Sequence, residues 1–311
     1  MATTEVAAMM GPGLLELDEA ERIKRRLYRR DATQLARIAA TCPAALSEDD
    51  LAFYRTEGYL AVEGLLSAEE VEACTAALSD LLHGRVEGKV GRQEEPYYRE
   101  GKIDERVSDP ELTVRKLWSF CKVEPRLERM AGHPRLVPLL DQLIEPGHRL
   151  VQDMALIKPP FHGSEKPWHQ DTAYFDWTLL GGIIGVWIAL DPATIDNGCM
   201  QVIPGSHLDG PTPHFHVRDC QMADDRVRVD RAVVVPLQPG GALFFSGLLH
   251  HGTPPNLSGD RRRALQFHYA AAACRNMTIQ EHAELFNEGG AYAGCRKLDP
   301  DSGLTQAVYS P

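Results

Sequence analysis

Two short segments carry side chains that together could do metal chemistry. His169-Gln170-Asp171 offers an imidazole and a carboxylate two residues apart, and far downstream His250-His251-Gly252 offers a second imidazole. Two histidines and one carboxylate, bound on one face of an ion with the remaining positions open, are the ligand set of non-haem Fe(II) oxygenases. In an extended strand, residues two apart face the same way, so His169 and Asp171 can reach one ion while Gln170 turns away. By the same rule only one of the neighbours His250 and His251 can enter the site. The turn-rich run 253–260 follows and leads into Arg261-Arg262-Arg263. A hairpin here would bring one of these arginines close to the ion. A guanidinium fork matches a carboxylate bidentately, so that arginine could grip the distal carboxylate of 2-oxoglutarate while the keto-acid end chelates the metal.

Such residues need a scaffold. Short β-prone runs at 150–157, 182–189, 200–203, 232–235, 242–245 and 264–270 are separated by Pro, Gly and Asn clusters. This pattern predicts a mainly β protein with flanking α-helices, its core a double-stranded β-helix, the cupin-like jelly roll. The N-terminal part reads as helical. Apolar spacing predicts a helix across 14–40, and its basic run 22–30 reads as a solvated face rather than a tether for an anionic partner. Ser47 is a candidate N-cap, 58–64 a short strand, and Ser67 with Glu70 a capping box before a helix to about residue 82. Residues 83–112 are polar and predict a mobile loop, and a helical region over 124–144 is broken by Pro134 and Pro138. The predicted organisation is a helical extension over 1–45, a jelly-roll domain with its N-terminal helices over 46–275, and a C-terminal tail over 276–311 packed on or near the core.

Composition narrows the function classes. The chain has 311 residues, 43% hydrophobic and 25% charged, which is ample for a globular core. A net charge of −11 argues against a nucleic-acid partner. The absence of a long apolar run predicts no membrane span, and the acidic N-terminus does not resemble a targeting peptide. Seven cysteines without a CxxC or zinc-like spacing predict reduced thiols and a cytoplasmic setting. The expected partner is a small-molecule substrate, with the protein a monomer or homodimer.

Several motifs then converge. They are residues 53–64 (FYRTEGYLAVEG), Lys158-Pro159-Pro160, Trp168-His169-Gln170-Asp171, Asn197-Gly198-Cys199, Ile203-Pro204-Gly205-Ser206-His207, and His251-Gly252 followed by Asn256-Leu257-Ser258. With them the chain resembles the phytanoyl-CoA dioxygenase family of Fe(II)/2-oxoglutarate oxygenases, over about residues 50–275. The resemblance implies His169, Asp171 and His251 as the iron ligands and catalytic centre, His251 being the histidine followed directly by glycine. It implies Arg262 for the 2-oxoglutarate carboxylate, and Lys116, Met154, Gln170, Trp187 and Thr253 as further co-substrate contacts. The implied reaction uses O2 to oxidise a substrate C–H bond, with release of succinate and CO2. Because related halogenases lack the carboxylate ligand, Asp171 favours hydroxylation over halogenation. The family pattern makes His207 a structural turn residue. His214 and His216 fall in a stretch expected to be a lid or substrate loop rather than a second metal site. The substrate pocket is expected from 83–112, 174–180 and 208–231. Two other classes remain: a non-oxidative cupin-like metal isomerase or lyase, and a non-catalytic small-molecule binding protein with a relict site. Neither has a use for an intact Arg262.

Overall fold

A computed structural model describes residues 17–102, 107–175, 182–216, 218–286, 296–298 and 305–307. In chain order the strands are Ile38–Ala39 (β1), Tyr59–Val62 (β2), Gly91–Glu94 (β3), Val114–Trp118 (β4), Arg149–Lys158 (β5), Lys166–His169 (β6), Ile183–Ala189 (β7), Met200–Val202 (β8), His214–His216 (β9), Cys220–Met222 (β10), Val233–Val235 (β11), Ala242–Ser246 (β12), His251–Thr253 (β13) and Arg262–Ala270 (β14). The helices are Leu17–Leu27 (α1), Glu48–Glu57 (α2), Ala68–Leu82 (α3), Pro96–Arg99 (α4), Pro110–Thr113 (α5), Pro125–Ala131 (α6), Val137–Ile144 (α7) and Ile279–Phe286 (α8).

Two sheets face each other, as the jelly-roll expectation requires. The large sheet has eight strands in the order β1-β2-β12-β7-β14-β5-β4-β3, and the small one has four in the order β11-β8-β13-β6. Strand periodicity sorts the side chains of β7 and β14 between two cores. Ile184, Val186 and Ile188 of β7, with Leu265, Phe267 and Tyr269 of β14, face Leu78, Leu127 and Leu140 of the helices. Trp187 and Ala189 of β7, with Ala264 of β14, face Met200, Val202 and Leu249 between the sheets. The same two-residue step that buries Leu265 and Phe267 outside therefore sends Arg262, Gln266 and His268 inside.

The helix starts are set locally. In α2 and α3 the hydroxyls of Ser47 and Ser67 accept from the N–H groups of Asp50 and Glu70, whose carboxylates accept from the cap N–H in return. Pro138 falls in the first turn of α7, where its missing N–H has no intrahelical partner to lose.

The structure corrects five sequence expectations. The helix foreseen across 14–40 stops at Leu27. Tyr28 stacks on Trp168, Arg29 bonds Ala232 and Gln201, and Ile38–Ala39 pairs with β2, so tertiary partners override local helix spacing there. The basic face of α1 is not wholly solvated, since Lys24 is buried. The stretch 83–112 is not one loop: β3 within it pairs with β4. The segment joining β13 to β14 is not a hairpin turn, because β13 pairs with β6 and β8 while β14 pairs with β5 and β7. Residues 254–261 carry the chain from the small sheet to the large one. Finally, Cys220 is disulfide-bonded, whereas Cys42, Cys74, Cys121, Cys199 and Cys274 are free thiols.

The C-terminal α8 docks on the core: Phe286 is fully buried and His282 Nε2 contacts the Ala173 carbonyl at 2.9 Å. Residues 176–180 of the expected pocket segment 174–180 lie outside the described residues. Among the described residues, no helix is long and apolar enough to cross a membrane.

Candidate active site

The end of β6, the short 3-10 turn Asp171–Tyr174 and the start of β13 meet between the sheets. His169 and His251 are directly paired residues of β6 and β13. Their rings lie 4.1 Å apart between centroids. Asp171 sits two residues past the end of the strand, at the head of the 3-10 turn, with Gln170 extended before it at φ −114° and ψ 129°. One potential ligand atom from each of His169, Asp171 and His251 falls within 4.8 Å of the other two, and all three residues are buried.

Hydrogen bonds fix which atoms face the cluster. Nδ1 of His169 is 2.8 Å from the Pro167 carbonyl, and Nδ1 of His251 is 3.0 Å from the Leu249 carbonyl. A carbonyl only accepts, so each Nδ1 carries the proton and each Nε2 presents a lone pair. Those Nε2 atoms lie 3.3 Å and 3.6 Å from Asp171 Oδ1. Burial pushes the His251 imidazole down to about 3 and lowers His169 as well. Burial alone would raise the Asp171 carboxyl, but the His268 imidazole beside Oδ2 outweighs it and holds it well below the usual carboxylate range. At neutral pH the cluster is two neutral imidazoles and one carboxylate, the protonation state that binds a divalent metal.

A cavity opens on this cluster, and Arg262, Lys116, Met154 and Thr253 line it. Arg262 enters from the large sheet. It is only 2% exposed, its guanidinium lies 5.3 Å from the centre of the Trp187 ring, and its longest reach is a 3.5 Å contact to the Leu156 carbonyl. Burial pushes it down to about 10. Arg262 Nε and Thr253 Oγ1, both on residues that line the cavity, are buried without hydrogen-bond partners among the described residues. Buried polar atoms are rarely left unmatched, so this group is complementary to a ligand carrying anionic oxygen. Lys116 is also buried, and burial together with Lys166 pushes its ammonium down to about 7. The neighbouring arginines are otherwise engaged: Arg261 pairs with Glu111, and Arg263 forms a two-point bridge to Asp191.

Two expected contacts fall elsewhere. Gln170 does not line the cavity; its amide donates to the Gly210 and Leu248 carbonyls and accepts from Thr212 N–H, each at 2.8 Å. Trp187 lies behind Arg262, and its side chain supports the guanidinium. His250 faces away from the cluster toward Thr212, and His207 caps a turn against the Arg55 carbonyl. His214 is fully buried with both ring nitrogens engaged, by Gln170 N–H and the Thr212 carbonyl, so it offers no atom to a metal. Among the described residues, Tyr174 and Phe175 line the cavity, while 83–112 and 208–231 contribute nothing to it. Lys158, part of a motif noted in the sequence, lines it too, and Lys166 and Gln266 line it without having been singled out from sequence. The missed signal is alternation: Gln266 and His268 are polar residues two and three strand steps of two beyond Arg262, on the face that carries it.

The phytanoyl-CoA dioxygenase family model matches residues 54–264. The chain belongs to this family. Among curated relatives, the phytanoyl-CoA dioxygenase domain-containing protein 1 of Danio rerio is 28% identical over 263 residues, covering 72% of this chain and 89% of the relative. Among solved structures, the non-heme alpha-ketoglutarate-dependent carbocyclase SnoK from nogalamycin biosynthesis aligns with a TM-score of 0.59 at 23% identity, covering 81% of this chain and 95% of that one. The epimerase SnoN of the same biosynthesis aligns with a TM-score of 0.57 at 25% identity, covering 78% and 88%. SnoN has also been crystallised with Fe3+ and alpha-ketoglutarate. The jelly-roll architecture is thus that of the iron- and 2-oxoglutarate-dependent oxygenases, and the His169–Asp171–His251 cluster has the ligand chemistry of that class.

Proposed function

We propose that the protein is an Fe(II)- and 2-oxoglutarate-dependent dioxygenase that hydroxylates a C–H bond of a small molecule. The observation that carries the reading is the pairing, in one cavity, of a neutral-His, carboxylate cluster with a buried arginine that has no carboxylate partner among the described residues. His169, Asp171 and His251 would hold the iron, the imidazoles through Nε2 and the carboxylate through Oδ1. Bound iron with 2-oxoglutarate and O2 supplies the oxidising power, as the co-substrate is converted to succinate and CO2.

The chain's own residues do the rest. Arg262 takes the distal carboxylate of 2-oxoglutarate, held in place by the Trp187 ring beneath it. Thr253 Oγ1 has the free hydroxyl to join that contact, and Lys116 and Met154 complete the walls. The backbone carbonyls of Pro167 and Leu249 fix both imidazole tautomers before any ligand arrives. Tyr174 and Phe175 line the same cavity and add aromatic wall to it. Asp171 occupies the position that halogenation would need free, which supports hydroxylation.

An anaerobic titration of the apo-protein with Fe(II) and then 2-oxoglutarate tests this. A visible charge-transfer band is expected in wild type and absent from His251→Ala. A folded, iron-loaded wild type without the band would overturn the reading and favour a non-oxidative metal isomerase or lyase, which needs no keto-acid.

A further inference from the structure

The two oxygens of Asp171 meet different surroundings. Oδ1 faces the imidazoles of His169 and His251, at 3.3 Å and 3.6 Å. Oδ2 lies 2.7 Å from His268 Nε2 and 3.2 Å from Gln266 Nε2. Neither His268 nor Gln266 has a part in the function proposed above. We propose that they are positioning residues, which hold Asp171 through Oδ2 so that it offers Oδ1 alone to the metal. The inference rests on Asp171 being a metal ligand.

Donor chemistry supports the assignment. A carboxylate can only accept, so both nitrogens that reach Oδ2 must donate. His268 Nδ1 has no partner, so its ring bonds through Nε2 alone. Gln266 Nε2 also lies within hydrogen-bond distance of His268 Nε2, at 2.9 Å, so the two side chains and Oδ2 form one contact cluster.

The sheet makes the arrangement rigid. His268 and Gln266 sit on β14, which is paired on one side with β5 and on the other with β7 along most of its length. Gln266 is paired with Met154 and Trp187, and His268 with Gln152 and Gly185. The Phe175 ring packs edge-on against the His268 ring at 5.0 Å. His268 is 1% exposed and Gln266 3%, so water does not compete for the carboxylate.

The consequence is a fixed denticity. Asp171 stands at the head of a 3-10 turn, just outside the paired part of β6, so its own backbone restrains it less than a strand would. A carboxylate free to rotate can offer both oxygens to an ion. A second oxygen would take a position that the co-substrate or O2 requires. Hydrogen bonds to the outer atom of a ligating residue typically change metal affinity by about 10–100-fold when removed.

Anaerobic titration of apo wild type, His268→Ala and His268→Gln with Co(II) tests the proposal, reading affinity and the visible d–d spectrum, alongside the melting temperature of each apo-protein. The amide nitrogen of Gln reaches roughly the place of Nε2 and keeps the donor. The expected result is Co(II) affinity lower by about 10–100-fold in His268→Ala, with an altered d–d spectrum, and near-wild-type values in His268→Gln. Equal affinity and spectrum in His268→Ala and wild type would overturn the proposal, as would an equal loss in both variants. If His268→Ala does not fold, Gln266→Leu carries the test: weaker Co(II) binding supports the proposal and unchanged binding overturns it. A wild type that binds no Co(II) would instead overturn the metal-centre reading itself.

Discussion

Arg262→Met should move co-substrate affinity and protein stability in opposite directions. The side chain is 2% exposed, and the described residues offer its guanidinium only a 3.5 Å backbone carbonyl and the face of Trp187. In the apo-protein the buried charge is therefore poorly compensated, which is why burial lowers its pKa to about 10. Methionine has similar length, and replacing buried charge with a well-packed apolar side chain is typically neutral or stabilising by about 1–4 kcal/mol. With 2-oxoglutarate bound, the same guanidinium would face a buried carboxylate. Truncating one partner of such a pair costs about 2–5 kcal/mol. A value of about 3 kcal/mol corresponds to roughly a hundredfold weaker binding. The assay is paired: chemical denaturation of the apo-proteins, and anaerobic titration of the iron-loaded proteins with 2-oxoglutarate. Expected are an unchanged or higher unfolding free energy and a dissociation constant raised about a hundredfold. Affinity within about threefold of wild type, less than about 0.7 kcal/mol, would refute the role given to Arg262. A large loss of apo stability would show that its charge is satisfied within the protein.

Three further outcomes are expected. Gln170→Leu should lower stability by at least about 2 kcal/mol, because it leaves the Gly210, Leu248 and Thr212 backbone groups without their partner. Its 2-oxoglutarate affinity should stay near wild type, and selective loss of affinity in a stable protein would contradict the placement of Gln170 outside the cavity. Asp219 bridges Lys166 at 2.8 Å; burial opposes its ionisation, but Lys166 and Arg115 overcome it and hold the carboxyl far below its usual value. A folded-state pKa below the unfolded value of about 3.9 stabilises the fold above that pH, and the stabilisation is lost as pH falls toward the folded value. Asp219→Asn should thus be less stable than wild type by about 3 kcal/mol at pH 7, with the gap narrowing below about pH 4, and denaturation curves showing a pH-independent gap would refute this. Ser67→Ala should cost about 1 kcal/mol through loss of the α3 capping box, read as a shifted denaturation midpoint with an unchanged slope.

Short-range chemistry was readable from the chain itself. The capping serines and the β-prone runs that became β5, β7 and β14 each depend on neighbours within a few residues, whereas Pro138, read as a helix break, sits in the first turn of α7. The types and spacing of His169, Asp171 and one of His250 and His251 likewise suggested a metal cluster, the family resemblance pointed to His251, and the structure brings His169, Asp171 and His251 together. What the chain did not disclose depends on partners distant in sequence. The end of α1 is set by Trp168, Gln201 and Ala232, none of them local to it. Arg262 reaches the cavity from the sheet opposite His251, since no local turn signal distinguishes a hairpin from a crossing between sheets. Gln170 looked free because its partners lie in the 210–212 and 248 backbone. The second oxygen of Asp171 finds His268 and Gln266 only because β14 lies across the cavity from β6. Sequence determined which groups could do the chemistry and which local elements would carry them. The packing of two sheets decided which atoms of those groups face one another, because hydrogen bonds and burial act across space rather than along the chain.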